Sequence, residues 1–329
     1  MAVPLSILDL AHIRSGETAA DSFTASVALA QRAERWGYRR IWYAEHHNMR
    51  SIASSATSVL IAHIAAHTNT IRLGVGGVML PNHAPLTIAE QFGTLETLHP
   101  GRIDLGLGRA PGSDQPTMRA LRRDPSSADS FPRDVLELQG YLTGETRIPG
   151  VDATPGKGTN VPLYILGSSL FGAQLAAALG LPYSMASHFA PNLLQEAVSL
   201  YRRDFQPSAQ LDAPYVIAGV NVIAADTTAD AEKQFVEAKR RRVSQLFGRG
   251  QRFTDEEADL ILEAPAGQQV LQMAKYSAVG TPPQVKDYLD DFAKLADADE
   301  LIVATQARNT EAWLRSFELL ADVSELSAV

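Results

Sequence analysis

A closed (β/α)8 barrel of the TIM class is the fold this sequence predicts, on three observations. Apolar runs of strand length alternate with helical segments along the chain, and eight of the former against about eight of the latter is a barrel's count. Residues 71–112, IRLGVGGVMLPNHAPLTIAEQFGTLETLHPGRIDLGLGRAPG, read as strand, loop, amphipathic helix and strand, which is one parallel crossover unit. Glycine and polar residues collect at strand ends, where α/β enzymes place their ligands. A doubly wound open sheet is the alternative. The 329 residues exceed the size of a plain barrel, and inserted loops after strands 4 and 7 account for the surplus. No break in composition marks a boundary, so 1–329 reads as one domain.

Taken in order, residues 3–10 form a short apolar first strand. Phe23, Val27, Ala30, Ala33 and Trp36 then recur at helical spacing, with Gly37 placed to end the helix. Residues 40–44 make the second strand, and Glu45, His46, His47 and Asn48 hang from its end. An Ala-rich helix over 53–67 leads into the 71–112 unit, where Ile88, Phe92, Leu95 and Leu98 line one helical face behind Pro85. Residues 113–132 read as a long polar loop over the fourth strand, either a lid that closes over the ligand site and lays Met118, Leu121 and Phe131 against it or a surface loop with ordinary local packing. A helix over 134–142 and a Gly/Pro-rich connection follow, and the alternation then resumes. Strands are predicted at 163–166, 183–187, 215–224 and 300–305, and helices at 169–179, 192–205, 228–242, 270–276, 282–295 and 310–320. The stretch between 242 and 265 reads as irregular and inserted.

The net charge of −8 argues against nucleic acid or an anionic membrane as partner, because both demand clustered positive charge. Lys239, Arg240, Arg241 and Arg242 form the one dense basic run, read as the solvated end of a helix. With no cysteine there is no disulfide, thiolate catalysis or cysteine-ligated metal, which suits the cytoplasm. No basic region precedes the short apolar run at the N-terminus, and no run reaches the length of a membrane span.

Several residues at strand ends could carry chemistry. Gly74, Gly76 and Gly77 inside a strand mark a bulge or a surface that a flat ligand approaches. Gly167, Ser168 and Ser169 end a strand where a helix starts, an arrangement that either caps the helix or holds an anion, and Arg109 at a neighbouring strand end favours the anion. Gly106, Gly108 and Gly112 surround that arginine. His46 and His47 could serve as general base, or could pack and be solvated as an ordinary pair. Ser187 and His188 end the sixth strand on the same rim. No metal-ligand spacing is evident among the carboxylates and histidines, so no metal is expected.

At these residues the chain resembles the bacterial luciferase-like flavin-dependent monooxygenases, in their non-luminous branch. The resemblance lies in WYAEHHN at 42–48, LGVGGVMLPNHAPL and EQFGTLETLHPGRIDLGLGRAPG within 73–112, and LGSSLFGAQLAAALGLPYSMASHF at 166–189. It implies a (β/α)8 barrel that binds FMN at its C-terminal face, used as FMNH2. A separate flavin reductase would supply it, and O2 would form a flavin C4a-hydroperoxide that oxygenates a small organic substrate. By the same resemblance His46 matches the catalytic histidine, and Gly76 and Gly77 match a pair joined by a cis peptide beneath the flavin ring. Arg109, Ser168 and Ser169 match the phosphate contacts. Glu45, His47, Gly108, Ser187 and His188 fall in the vicinity of flavin or substrate. Where luciferase has its reactive cysteine, this chain has Gly108. Family members are commonly homodimers, and one is expected here. A deazaflavin-dependent hydride-transfer enzyme and a flavin-binding protein without turnover are the alternatives.

Overall fold

Parallel strands inside an α/β protein are covered on both faces, and they therefore read as continuous apolar runs. The strands of this chain follow that rule. They are β1 (Leu5–Asp9), β2 (Arg40–Tyr43), β3 (Arg72–Met79), β4 (Ile103–Gly108), β5 (Leu163–Gly167), β6 (Tyr183–Met185), β7 (Val216–Ala224), β8 (Ser277–Gly280) and β9 (Glu300–Ala304). Every residue of β1, β2, β4, β6, β7 and β9 is buried. The computed structural model describes residues 3–110, 114–248 and 251–326.

Strands β1 to β7 pair in sequence order, all parallel, and β9 lies between β7 and β1. The pairing of β6 with β7 completes the ring. An open doubly wound sheet would leave two edges, and this ring of eight strands has none. The helices between them are α1 (Ala19–Trp36), α2 (Thr57–Ala65), α3 (Pro85–Leu98), α4 (Gln115–Ala120), α5 (Phe131–Thr143), α6 (Leu170–Leu179), α7 (Leu194–Asp204), α8 (Thr228–Phe247), α9 (Asp255–Glu263), α10 (Gln268–Met273), α11 (Pro282–Leu295) and α12 (Thr310–Val323).

Helix α1 shows how local chemistry sets an element. Thr18 and Asp21 form a reciprocal capping box, and Gly37 takes φ 87° at the far end, where a side chain would be strained. Its buried face consists of Ser22, Ala25, Ser26, Leu29, Ala30 and Ala33. The expected stripe was rotated relative to this one: Phe23, Val27 and Trp36 are half-buried at its margin. Small side chains let the helix sit close to the barrel, and the larger ones cover the seam.

Two insertions differ from expectation. The segment over 114–132 is not an unstructured loop. Asp114 caps α4, Asp124 caps a short 3-10 turn at Pro125–Ala128, and Met118 and Phe131 are already buried. Of the loop's large apolar groups, Met118 and Phe131 are thus packed in place and Leu121 is half-buried, while Gly112 and Ser113 lie outside the described residues. After β7, α8 runs on to Phe247 instead of stopping near 242. The supposedly irregular stretch contains α9, opened by a Thr254–Glu257 capping box, and β8 follows α10. Strand β8 pairs with the Asn221–Ala224 end of β7, as a ninth strand beside the ring. Four residues are too few to display a strand period, and Ser277–Gly280 falls between the predicted helices at 270–276 and 282–295, where no element is expected.

At the amino ends of the strands lies a buried ionic floor. The Arg40 guanidinium sits between Asp104 at 2.7 Å and Glu300 at 2.9 Å. Arg72 also pairs with Asp104, Trp42 donates to it at 3.1 Å, and Glu300 accepts from Ser6 and from Tyr215 at 2.7 Å. Burial would discharge Arg40, and the two carboxylates overcome that and hold it firmly protonated.

Candidate active site

The carboxyl ends of the strands open on a cavity of about 380 Å3. One wall is backbone. The pairing of β3 with β4 shifts register between Val75 and Val78, and the Gly76–Gly77 peptide within that shift is cis. A Cβ on Gly77 would stand 2.7 Å from the Gly106 carbonyl oxygen, and one on Gly76 would stand 3.0 Å from the Trp42 ring. Both glycines therefore serve strand packing as well as presenting a bare surface to the cavity. Gly108 and Met79 continue the lining.

At the end of β2 the three consecutive side chains diverge. His46 lines the cavity, and its Nδ1 is buried without a hydrogen-bond partner. Burial lowers its pKa, partly offset by the charge of Glu45, so the ring is neutral near pH 7. Glu45 turns away, and its Oε1 accepts from Nε2 of His47 and of His83, each at 2.8 Å. Its Oε2 takes the Met79 amide at 3.3 Å, which ties the ends of β2 and β3 together. Burial would raise the Glu45 carboxyl, and the bonds and charges of the two histidines bring it down to about 2. His47 is raised in turn, by that hydrogen bond first. The ligand atoms of Glu45, His47 and His83 lie within 4.8 Å of one another, a juxtaposition that sequence spacing did not reveal because His83 comes from the next loop.

Across the mouth, Arg109 lies over the Phe171 ring at 4.1 Å and makes no hydrogen bond or ion pair with any described residue. Phe171 belongs to the first turn of α6, so the guanidinium stands beside that helix start. Ser169 is the N-cap of α6, yet its hydroxyl makes no capping bond; Ser168 precedes it on the lining. The Ser169 hydroxyl is therefore not spent on a capping bond, and unspent donors remain at the helix start.

His188 also lines the cavity. A Cβ on Gly219 would come 2.3 Å from its Nδ1, so that glycine makes room for the ring. Burial, with the charge of Arg242 next, depresses His188 to about 3. Ser187 does not reach the cavity: its hydroxyl donates to the Gly219 carbonyl at 2.6 Å. His12, at the first strand's end, and Arg242, on α8, were not singled out from the sequence as site residues, yet both line the cavity.

A family model described as luciferase-like monooxygenase matches residues 3–299. The chain belongs to the luciferase-like monooxygenase family. A luciferase-like monooxygenase of Escherichia coli (strain K12) is 50% identical, over 98% of this chain and 97% of that one. The N-acetyl-S-alkylcysteine monooxygenase of Bacillus subtilis (strain 168) is 34% identical, over 97% and 98%. The crystal structure of apo-MsnO8 superposes with a TM-score of 0.90 at 36% identity, covering 99% of both chains. The expected flavin-dependent monooxygenase class is met at the level of this luciferase-like family, and the expected barrel with it. No helix among the described residues is long and apolar enough to cross a membrane.

Proposed function

We propose that this luciferase-like monooxygenase takes reduced FMN from a separate flavin reductase and uses it with O2 to oxygenate a small organic substrate. The observation that carries the reading is what meets at one mouth: the bare Gly76–Gly77 wall, unpaired Arg109 beside the start of α6, and His46 with a free ring nitrogen. FMN is a flat ring joined to a phosphate, and both halves fit. A planar face can lie against a wall without side chains, and a phosphate suits a guanidinium, two serine hydroxyls and the unbonded amides of a helix start. When bound in reduced form, FMN supplies the electrons that activate O2 and the site for oxygen transfer.

The chain's own residues have distinct parts in this. Arg109, Ser168 and Ser169 would hold the phosphate, and Gly76 and Gly77 would seat the ring. His46, neutral and with a free Nδ1, can accept or return a proton beside the reacting atoms. Phe131, Phe171 and Phe189 close the cavity with apolar surface and exclude water. Glu45 acts through others: it fixes the Met79 amide and the two histidines next to the wall. The homodimer is supported by Val59 on α2 and Leu98 ending α3, exposed by 68% and 64%. A cytoplasmic site of action is supported by the absence of cysteine from the sequence.

Mixing the anaerobic protein and photoreduced FMN with air-saturated buffer in a stopped-flow spectrophotometer tests the proposal. A transient spectrum distinct from both reduced and oxidised FMN is expected. Reappearance of oxidised FMN as fast as in buffer overturns it, and so does tight binding of a deazaflavin with none of FMN.

A further inference from the structure

We propose that Arg242 binds the acidic group of the substrate, so that the enzyme acts on a small molecule with an apolar body and a single carboxylate or sulfonate. The inference rests on the function proposed above and names the substrate class of that same cavity. Read from the sequence, Lys239 to Arg242 is a solvated helix end. In the fold, α8 continues past it and each arginine meets a different environment. Arg240 pairs with Asp255 at 2.5 Å and Asp259 at 2.8 Å, and Arg241 donates to the Gln306 carbonyl at 2.5 Å. Arg242 points into the cavity and has no hydrogen bond or ion pair with any described residue.

A guanidinium withdrawn from water is ordinarily matched by a carboxylate, because the desolvated charge is otherwise costly. Burial depresses Arg242, and no neighbouring acid raises it again. The described cavity lining contains neither aspartate nor glutamate, although the chain as a whole carries a net charge of −8. Its histidines add no charge near neutrality: His12 is lowered to about 4 and His188 to about 3, both by burial first, and His46 is lowered too. Positive charge in the lining therefore rests on Arg109 and Arg242.

The two arginines occupy separate places. Arg109 follows β4 and stands against α6, whereas Arg242 arrives on the insertion after β7. There Arg242, Met273 and Gln306 also border a side chamber of about 30 Å3. Thr305 beside them offers a buried Oγ1 without a partner. One phosphate occupies the first cation and leaves the second for another anion. An apolar cavity with one such cation and a nearby hydroxyl selects an amphiphilic acid.

The test uses hexanoate, hexanesulfonate and neutral hexanamide as probes, titrated against the FMN-loaded protein and read from the absorbance of bound FMN. The same titrations are repeated by thermal shift on protein without FMN. At least one of the two anions should bind the wild type roughly tenfold to a hundredfold more tightly than it binds Arg242→Gln, the range of a charge-assisted contact. Arg242→Lys should recover part of the difference, and hexanamide should not distinguish the variants. Whichever anion gains more identifies the acidic group. Equal binding of amide and anions to the wild type overturns the proposal, as does an Arg242→Gln variant that loses FMN while treating the probes as wild type does. If FMN fails to bind the wild type, the monooxygenase reading falls, and the thermal-shift series still decides the anion site.

Discussion

The two ends of the barrel treat buried charge in opposite ways. At the floor, Arg40 lies within 2.9 Å of Glu300 and 2.7 Å of Asp104, and aromatic and hydroxyl donors complete the carboxylates. At the mouth, Arg109 and Arg242 line a cavity whose described residues offer no acid. The floor is a closed account of charges: breaking it leaves desolvated ions behind. The mouth is open, and only something from outside can complete it. A barrel that keeps stability at one end and chemistry at the other can vary its mouth without losing its fold.

Removing one arginine from each end should break this symmetry most clearly. Arg40→Met leaves Glu300 and Asp104 buried with less compensation and should destabilise the protein by about 3–5 kcal/mol, read from urea unfolding. Arg242→Gln should leave the unfolding midpoint unchanged or raise it, because it removes an unmatched charge. Equal losses in the two variants would refute the contrast.

A smaller effect is expected within the mouth itself. Arg109→Ala removes a charge-assisted contact of about 1.5–3 kcal/mol, so FMN affinity should fall roughly tenfold to a hundredfold in a fluorescence titration. Stability should hardly move, since Arg109 is exposed, lies over the Phe171 ring and has no hydrogen bond or ion pair with any described residue. Unchanged FMN affinity would take the phosphate away from this corner.

The smallest change in binding is expected at His46, where alanine should alter FMN affinity by less than about threefold. Its effect should appear in time and pH. Burial holds His46 below its ordinary value of 6.5, so the ring is neutral at pH 7 and becomes charged only as pH falls through that depressed pKa. The decay rate of the oxygenated complex in stopped flow should be level from pH 8 to 7 and change on an acid limb centred below 6.5. The limb should vanish in His46→Ala. A limb that persists in the variant assigns the proton to another group.

Most of the architecture was legible from the chain because its physical causes are local. Strands buried on both faces must be apolar throughout, and glycines such as Gly37 and Gly180 in left-handed geometry punctuate the helices between them. The insertion after β7 was harder to read. Its α9 has a plain capping signal in Thr254 and Glu257, but the short strand β8 has only four residues, of which Ser277 and Val279 are half-buried. Among site residues, His46, Gly76, Gly77, Arg109, Ser168, Ser169 and His188 all reach the cavity, since strand ends in a barrel necessarily converge. Ser187 was legible only as a neighbour, because whether its hydroxyl faces the cavity or β7 depends on the twist of one strand end.

The sequence by itself determined the alternation, the barrel and which strand ends carry polar groups, because periodicity and burial act along the chain. Closure of the ring through β6 and β7, the shared carboxylate of Glu45 between His47 and His83, and the direction of Arg242 were decided by the tertiary structure. Lys239, Arg240, Arg241 and Arg242 are four adjacent cationic residues of similar composition in the sequence. On a helix each successive side chain turns by about 100°, so packing α8 against the mouth sends one arginine to aspartates, one to a carbonyl and one into the cavity.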